Sequence, residues 1–134
     1  MVLDRNLHIL SASRAFERIS GHAPETVIGQ HYGKFFPDCR DGGGCPAEAA
    51  LREGRISTDI QSHTIPGRDR PRYIERIAIP VARNGATEQV IEVVTDVTER
   101  KEMEVQLLHS EKMATTGEMA AIIAHEIRTS LTSV

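Results

Sequence analysis

The last stretch of the chain, residues 113–134, spaces its apolar side chains as a helix that must pack against another helix. On a seven-residue repeat, the first core position holds Met113, Ala120, Ile127 and Val134, and the second holds Thr116, Ile123 and Ser130. The apolar side chains of such a seam are shielded from solvent only when a partner helix packs against them. We therefore predict a parallel homodimer formed through this helix.

His125 falls on the side of the predicted helix that faces away from the seam. Thr129 and Arg128 share that side, and Glu126 places a carboxylate beside the imidazole. A single exposed histidine is most often a solvated residue. Whether His125 has a function must therefore be judged from the sequence around it. Residues 117–129, GEMAAIIAHEIRT, resemble the phosphoacceptor box of sensor histidine kinases, and the similarity extends over residues 111–131.

The resemblance implies a phosphoryl-transfer chemistry. His125 would take the γ-phosphate of ATP through a neutral imidazole, and Glu126 would act as general base. Thr129 would position water when a partner response regulator is dephosphorylated. Arg128 would support the local charge, although a surface salt bridge explains it equally well. ATP and Mg²⁺ would bind in a separate kinase ATP-binding domain of a larger parent, since this chain has no glycine-rich phosphate loops of that kind.

Two positions depart from the family pattern. Ser130 stands where the family usually has proline, so we expect a straighter helix than one that proline bends. Ile122 stands where a smaller residue is common. It is either an exposed apolar group suited to docking a partner domain or an ordinary surface isoleucine.

The pattern of residues 1–98 predicts an α+β domain, in which glycine, proline and the pair Asn84-Gly85 mark the turns between elements. The order of two short strands, several short helices and three longer strands is similar to that of a PAS domain. The residues that carry this resemblance are 10–21, 27–29 and 96–100. The predicted strands are residues 2–4, 8–10, 55–65, 72–81 and 89–96. The first predicted helix follows Ser11 or Ser13 as its cap and ends before Gly21, and the others are 24–28, a brief helical segment at 31–36, and 47–53.

The resemblance implies a PAS fold, with a five-stranded antiparallel sheet and short helices on one face, followed by a long coiled-coil helix. We divide the chain into a PAS sensor domain (1–98), a coiled-coil signalling linker (99–112) and a truncated first helix of a dimerisation and phosphoacceptor domain (113–134). One nearly continuous helix over 98–134 would be about 55 Å long. The heptad register of Met103 and Leu107 is offset by one residue from that of Met113. This offset is either a switch point for signalling or an ordinary stutter in the coiled coil.

The junction at Asp96, Thr98 and Arg100 resembles the link between PAS domains and their output helices. Asp96 would pair with Arg100, and Thr98 would cap the helix as part of signal coupling. A plain N-cap threonine explains Thr98 equally well.

Cys39 and Cys45 enclose a loop of five residues, three of them glycine. Two cysteines do not complete the four-ligand site of structural zinc or of an iron–sulfur cluster. The interpretation we favour is two ordinary thiols on a surface loop. The alternative is a redox or metal sensor, since a glycine-rich loop lets the sulfurs approach disulfide distance.

Composition excludes several classes of protein. The 134 residues carry a net charge of −3, which does not suggest binding to nucleic acid or to an anionic membrane. No apolar run approaches the roughly 20 residues of a membrane span, and the first residues are no signal peptide. We therefore expect a cytoplasmic piece of a larger kinase with no membrane segment of its own.

No sequence motif identifies the signal that the predicted PAS domain would sense. Nothing around either cysteine resembles the flavin-adduct signature. His31 is a candidate axial ligand for haem, although a lone histidine is more often structural. An unidentified small molecule in the PAS cavity is an equal alternative. We interpret the chain as the sensory and phosphoacceptor portion of a protein-histidine kinase, inactive alone because the ATP domain is missing. The alternatives are a PAS ligand-binding or dimerisation module with a passive coiled coil, and the cysteine-based sensor.

Overall fold

The computed structural model describes residues 1–40, 42, 44–113, 125 and 128. The chain divides into two compact units, Met1–Val97 and Thr98–Val134. The first unit holds all the described strands, and the second begins with a helix.

The first unit is built on one antiparallel sheet of five strands. In chain order these are β1 (Val2–Asp4), β2 (Ile9–Ser11), β3 (Ser57–His63), β4 (Arg72–Arg83) and β5 (Ala86–Asp96). Their spatial order is β2-β1-β5-β4-β3, so the last strand lies between the first and the fourth. The predicted five-stranded antiparallel sheet is confirmed, with β3 shorter than the predicted segment.

Strands β4 and β5 form a hairpin whose turn is Asn84-Gly85, as predicted. Both turn residues have positive φ, 53° and 80°, which is the backbone that a two-residue turn between twisted strands requires. Because the turn is so tight, the pairing continues to Arg83 and Ala86. The two strands are therefore longer than the sequence pattern predicted.

The helices of this unit lie between β2 and β3 in the chain. They are α1 (Arg14–Ser20), α2 (Pro24–Val27), two 3₁₀ helices (Tyr32–Lys34 and Pro37–Cys39) and α3 (Pro46–Glu53). Prolines occupy the first turns of α2 and α3, where the missing N–H costs nothing. Gly21 and Gly54 end α1 and α3 in the left-handed conformation that glycine adopts without strain.

The core lies between the sheet and these helices. The buried apolar residues from the sheet are Leu3, Ile9, Ile74, Ala78 and Val90, and those from the helical segment include Phe16, Val27, Tyr32 and Phe36. Strand β3 contributes a polar inner edge, because Asp59, Gln61 and His63 are partly buried while Ile60 is exposed. The sheet therefore presents charged and polar groups to the helical segment on that side.

The two 3₁₀ helices approach each other closely at Gly33. A Cβ atom at Gly33 would lie 2.8 Å from Cβ of Arg40 and 2.9 Å from its Cα and N. We expect Gly33→Ala to destabilise the chain by about 2–3 kcal/mol, since backbone atoms must shift to admit the methyl group. Urea unfolding followed by circular dichroism measures this change.

Gly29→Ala is the matched control. Gly29 has φ of 82°, and a Cβ atom added there would meet no other atom within 4 Å. Its replacement by alanine therefore introduces backbone strain but no steric clash. We expect a loss of about 1 kcal/mol for this variant. Equal losses for the two variants would contradict the steric argument at Gly33.

The second unit begins with α4 (Thr98–Met113), which starts where the sequence predicted. Glu104 pairs with Arg100 and with Lys101 along this helix. His125 and Arg128 are also helical, whereas the predicted seam residues beyond Met113 lie outside the described residues. Within the described part of the chain, no helix has the length and apolar character needed to cross a membrane.

Candidate functional site

A buried arginine organises the interior of the first unit. The side chain of Arg76, on β4, is completely buried. Its Nε donates to Oδ1 of Asp59 at 2.9 Å, its Nη1 donates to Oδ1 of Asp38 at 3.1 Å, and its Nη2 contacts the second oxygen of each carboxylate. The guanidinium also lies over the Phe36 ring, 5.0 Å from its centroid.

This arrangement keeps Arg76 charged. Burial alone would lower the pKa of Arg76, but the hydrogen bonds to Asp59 and Asp38 reverse that effect and raise the pKa above its usual value. The cation therefore ties β4 to β3 and to the 3₁₀ helix that carries Asp38. One side chain holds together three segments that are distant in the sequence.

A second buried acid lies on the inner face of β5. Glu92 is 1% exposed, and its Oε1 accepts a hydrogen bond from the Tyr32 hydroxyl at 3.0 Å. Burial raises the pKa of Glu92 to about 7, against the lowering effects of that hydrogen bond and of the Arg76 charge. The carboxyl group is consequently poised to change protonation near neutral pH.

The other oxygen of Glu92 has no hydrogen-bond partner among the described residues and is buried. A cavity of about 30 Å³ is lined by Met1, Ser13, Ala15, Phe16 and Val94 as well as by Glu92 itself. Burial also raises the pKa of Tyr32, and the nearby Glu92 adds to this effect. Tyr32 therefore remains the hydrogen-bond donor of the pair.

The two cysteines form a disulfide, so the interpretation as two ordinary surface thiols is wrong. Cys39 and Cys45 have Cα atoms 4.8 Å apart and are joined through their sulfurs. They are only 4% and 0% exposed and belong to the hydrophobic core. The surrounding apolar side chains of the core bury the bond.

A pocket of about 210 Å³ opens between α1, the Lys34–Phe36 segment and the end of β3. Its lining includes His22, Phe35, Phe36, His63 and Ile65. His63 packs edge-on against Phe36, with ring centroids 4.9 Å apart, and its buried Nε2 has no partner among the described residues. Burial and the Arg76 charge lower the pKa of His63, which favours the neutral imidazole. The pocket offers aromatic walls and one neutral imidazole to a small ligand.

The candidate haem ligand, His31, takes part in a local contact. Its Nδ1 accepts a hydrogen bond from the Gly33 amide at 3.0 Å, and its ring meets His8 edge-on. Among the residues that the structure describes, no three His, Cys, Asp or Glu side chains are grouped as a metal site requires.

The structure describes only part of the predicted phosphoacceptor surface. His125 and Arg128 are exposed on a helix, while Glu126 and Thr129 lie outside the described residues. At the junction, Asp96 accepts a hydrogen bond from Arg72 at 2.9 Å. The pairing of Asp96 with Arg100 stays a prediction.

Sequence reasoning missed the roles of Arg76, Glu92 and Tyr32. A weak signal was present in β4, where Arg76 shares a strand face with Ile74 and Ala78, both of which are buried. Charged residues on a core face are buried only when they are paired. Nothing in the sequence identified Asp38 and Asp59 as the partners.

A family model described as the PAS fold matches residues 1–102. The chain belongs to the PAS-fold family. A solved PAS domain from Colwellia psychrerythraea superimposes with a TM-score of 0.60 at 19% sequence identity, covering 74% of this chain and 85% of that one. That likeness supports the fold alone, and it agrees with the sheet described above.

Relatives of the PAS domain occur in sensor kinases. The signal transduction histidine-protein kinase AtoS of Escherichia coli strain K12 is 28% identical over 138 aligned residues, covering 100% of this chain and 22% of the relative. The two-component system protein A of Emericella nidulans is 31% identical over 134 residues, covering 96% of this chain and 19% of the relative. The chain thus spans about a fifth of these curated relatives, and its PAS domain is homologous to those of sensor histidine kinases.

Proposed function

We propose that this chain is the sensory and phosphoacceptor portion of a two-component sensor histidine kinase. The PAS domain detects a signal and controls ATP-dependent autophosphorylation of His125. The phosphoryl group then passes to an aspartate of a response regulator.

The observation that carries this proposal is the string around His125. The alignment with AtoS covers the whole chain, and so includes this string as well as the PAS domain. His125 is exposed on a helix. A phosphoacceptor must be exposed in order to contact a separate ATP-binding domain. Exposure also leaves the residue accessible to the response regulator.

In this proposal each residue has a distinct role. The neutral imidazole of His125 attacks the γ-phosphate in line, and Glu126 draws off the ring proton as the new bond forms. Thr129 positions water when the response regulator is dephosphorylated, and Arg128 supports the local charge. The ATP-binding domain of the parent holds ATP and Mg²⁺ and neutralises the charge of the transferred group.

We further propose that the chain acts as a homodimer through its C-terminal helix. Apolar side chains of α4 support this: Met103, Leu107 and Met113 are each more than half exposed. Exposed apolar positions along one helix favour association with a second helix. The junction residues Asp96, Thr98 and Arg100 would then couple the PAS domain to that helix.

Phosphorylation in trans tests the proposal. The chain is mixed with a proven active ATP-binding domain of the parent kinase and γ-labelled ATP. We expect wild type to be labelled and His125→Gln to remain unlabelled, because glutamine has no nucleophilic ring nitrogen. The label should be lost in acid and retained in alkali, as expected of a phosphohistidine.

His109→Gln is the matched control, since His109 lies on α4 and is also exposed; this variant should be labelled normally. Glu126→Ala should dimerise normally, as measured by light scattering, and lose labelling, because the attacking imidazole lacks its base. Full labelling of Glu126→Ala would refute the general-base role. Absence of labelling in wild type would favour a PAS module that only binds a ligand or dimerises.

A further inference from the structure

The sheet of the first unit has a second face, which points away from the helical segment. Successive side chains of a strand point to opposite faces, and Ile74, Ala78 and Val90 point into the core. Their neighbours along β4 and β5 therefore form the outer face of the sheet. Ile91 and Val93 on this face are 40% and 44% exposed. The outer face thus presents apolar side chains to solvent.

The strand register gathers these side chains into one surface. Ile77 is paired with Val93. Ile91 is paired with Ile79 on one side and with Val2 of β1 on the other. We call these five residues the outer patch. Side chains directly opposite each other on one face have Cβ atoms about 4.5–5.5 Å apart, so the outer patch is continuous across three strands. A contiguous apolar surface is typical of an interface, whereas single exposed apolar residues are not.

We propose that the outer patch packs against the outer patch of a second copy of this chain. This inference rests on the proposed function, since it adds a second contact to the homodimer formed through α4. None of the patch residues is charged, and Glu75 lies in the next row, opposite Ile60 and Thr95. The chain has a net charge of −3, so two copies repel each other at long range. Identical surfaces meet across a twofold axis with least repulsion where neither carries a charge.

The size of the outer face favours a second copy over an unrelated partner. Five strands about 4.8 Å apart make the face roughly 20 Å wide, and Tyr73 to Val81 on β4 span roughly 26 Å at about 3.3 Å per residue. The face therefore offers roughly 500 Å² in projection, whereas a standard interface buries about 800 Å² on each partner. A second copy supplies the remainder, because its α4 pairs in the same dimer. Strand β5 ends at Asp96 and α4 begins at Thr98, so the central strand of the outer patch leads directly into the pairing helix.

Cross-linking tests the contact directly. Stacked sheets lie about 10 Å apart, so a bismaleimide of about that span should join two copies of the Val93→Cys variant. We expect a covalent dimer on a denaturing gel, with reductant omitted so that Cys39–Cys45 stays oxidised. Glu17→Cys is the control, because Glu17 is exposed on α1, on the other side of the sheet, and this variant should stay monomeric on the gel. Equal cross-linking of the two variants, or none in either, would contradict the proposed contact.

Sedimentation equilibrium separates the sheet contact from the helix pairing. Val93→Lys should weaken dimerisation by about tenfold or more, because the contact would then bury two lysines. Glu88→Gln is the matched control, since it changes the net charge by the same amount on the same strand, outside the outer patch. Its dissociation constant should equal that of wild type. Leu107→Lys, at an exposed position of α4, tests the helix pairing. Circular dichroism checks that each variant is folded.

Each outcome bears on one of the two contacts. Weakening by both lysine variants supports an interface with two parts. If Leu107→Lys weakened the dimer and Val93→Lys did not, the sheet contact would be refuted while the helix pairing stood. Weakening by Val93→Lys alone would keep the sheet contact and refute the helix pairing, and a monomeric wild type would refute both.

Discussion

Replacing Arg76 by methionine is expected to destabilise the chain by about 3–5 kcal/mol, because two carboxylates lose the cation that compensates their burial. Asp38 and Asp59 are only 18% and 21% exposed, so water does not replace the guanidinium. A domain of this size has a total stability of roughly 5–15 kcal/mol. The variant should therefore unfold at a much lower urea concentration than wild type.

Arg72→Met is the matched control, since Arg72 lies on the same strand and also pairs with an aspartate. That pair is about one third exposed, 32% and 29%, so we expect a loss below about 1 kcal/mol. Adding Asp38→Asn and Asp59→Asn to Arg76→Met should recover part of the stability. A triple variant as unstable as Arg76→Met alone would show that packing of the arginine, rather than its charge, dominates.

Replacing Glu92 by glutamine is expected to stabilise the chain at pH 8 by up to roughly 3 kcal/mol and to have little effect at pH 5. Burial raises the pKa of Glu92 from 4.5 to about 7 in the folded protein. The folded state therefore binds a proton that the unfolded state releases between those values. The resulting stability is fully present below about pH 4.5 and is lost as the pH rises to about 7.

The ionisable groups around Glu92 are Tyr32, Arg76, Asp59 and the Met1 amine, and none of them is substituted in this variant. Glutamine keeps an oxygen to accept the Tyr32 hydroxyl. Urea unfolding at a series of pH values measures the difference, with Glu88→Gln as control because Glu88 is exposed on the same strand. If the difference in the free energy of unfolding between wild type and Glu92→Gln did not vary with pH, Glu92 would keep the same charge over the whole pH range.

Local chemistry explains why the order of elements was predictable. Asn84-Gly85 determines a hairpin whatever surrounds it, and Gly21 and Gly54 end helices because their backbone is left-handed there. These signals act over a few residues, so the sequence displays them directly. The PAS fold followed from their order together with the resemblance of the flanking motifs.

The interior of the site depends on contacts that the sequence does not display. Arg76 meets Asp59 at a separation of 17 residues and Asp38 at 38, and Tyr32 meets Glu92 at 60. Strand β3 illustrates the difficulty, since its apolar Ile60 faces outward while Asp59 faces the arginine. The cysteines were misjudged for a similar reason, because their burial depends on core residues from other segments.

The two edge strands of the sheet limit how the PAS domain can associate with other chains. Strand β2 has three residues, and β3 consists of polar residues except for Ile60. Short or polar edges are poor templates for the backbone of another strand. Extension of the sheet across molecules, the first step toward fibrous aggregation, is therefore disfavoured at both ends, and self-association is directed to the sheet face or to the helices.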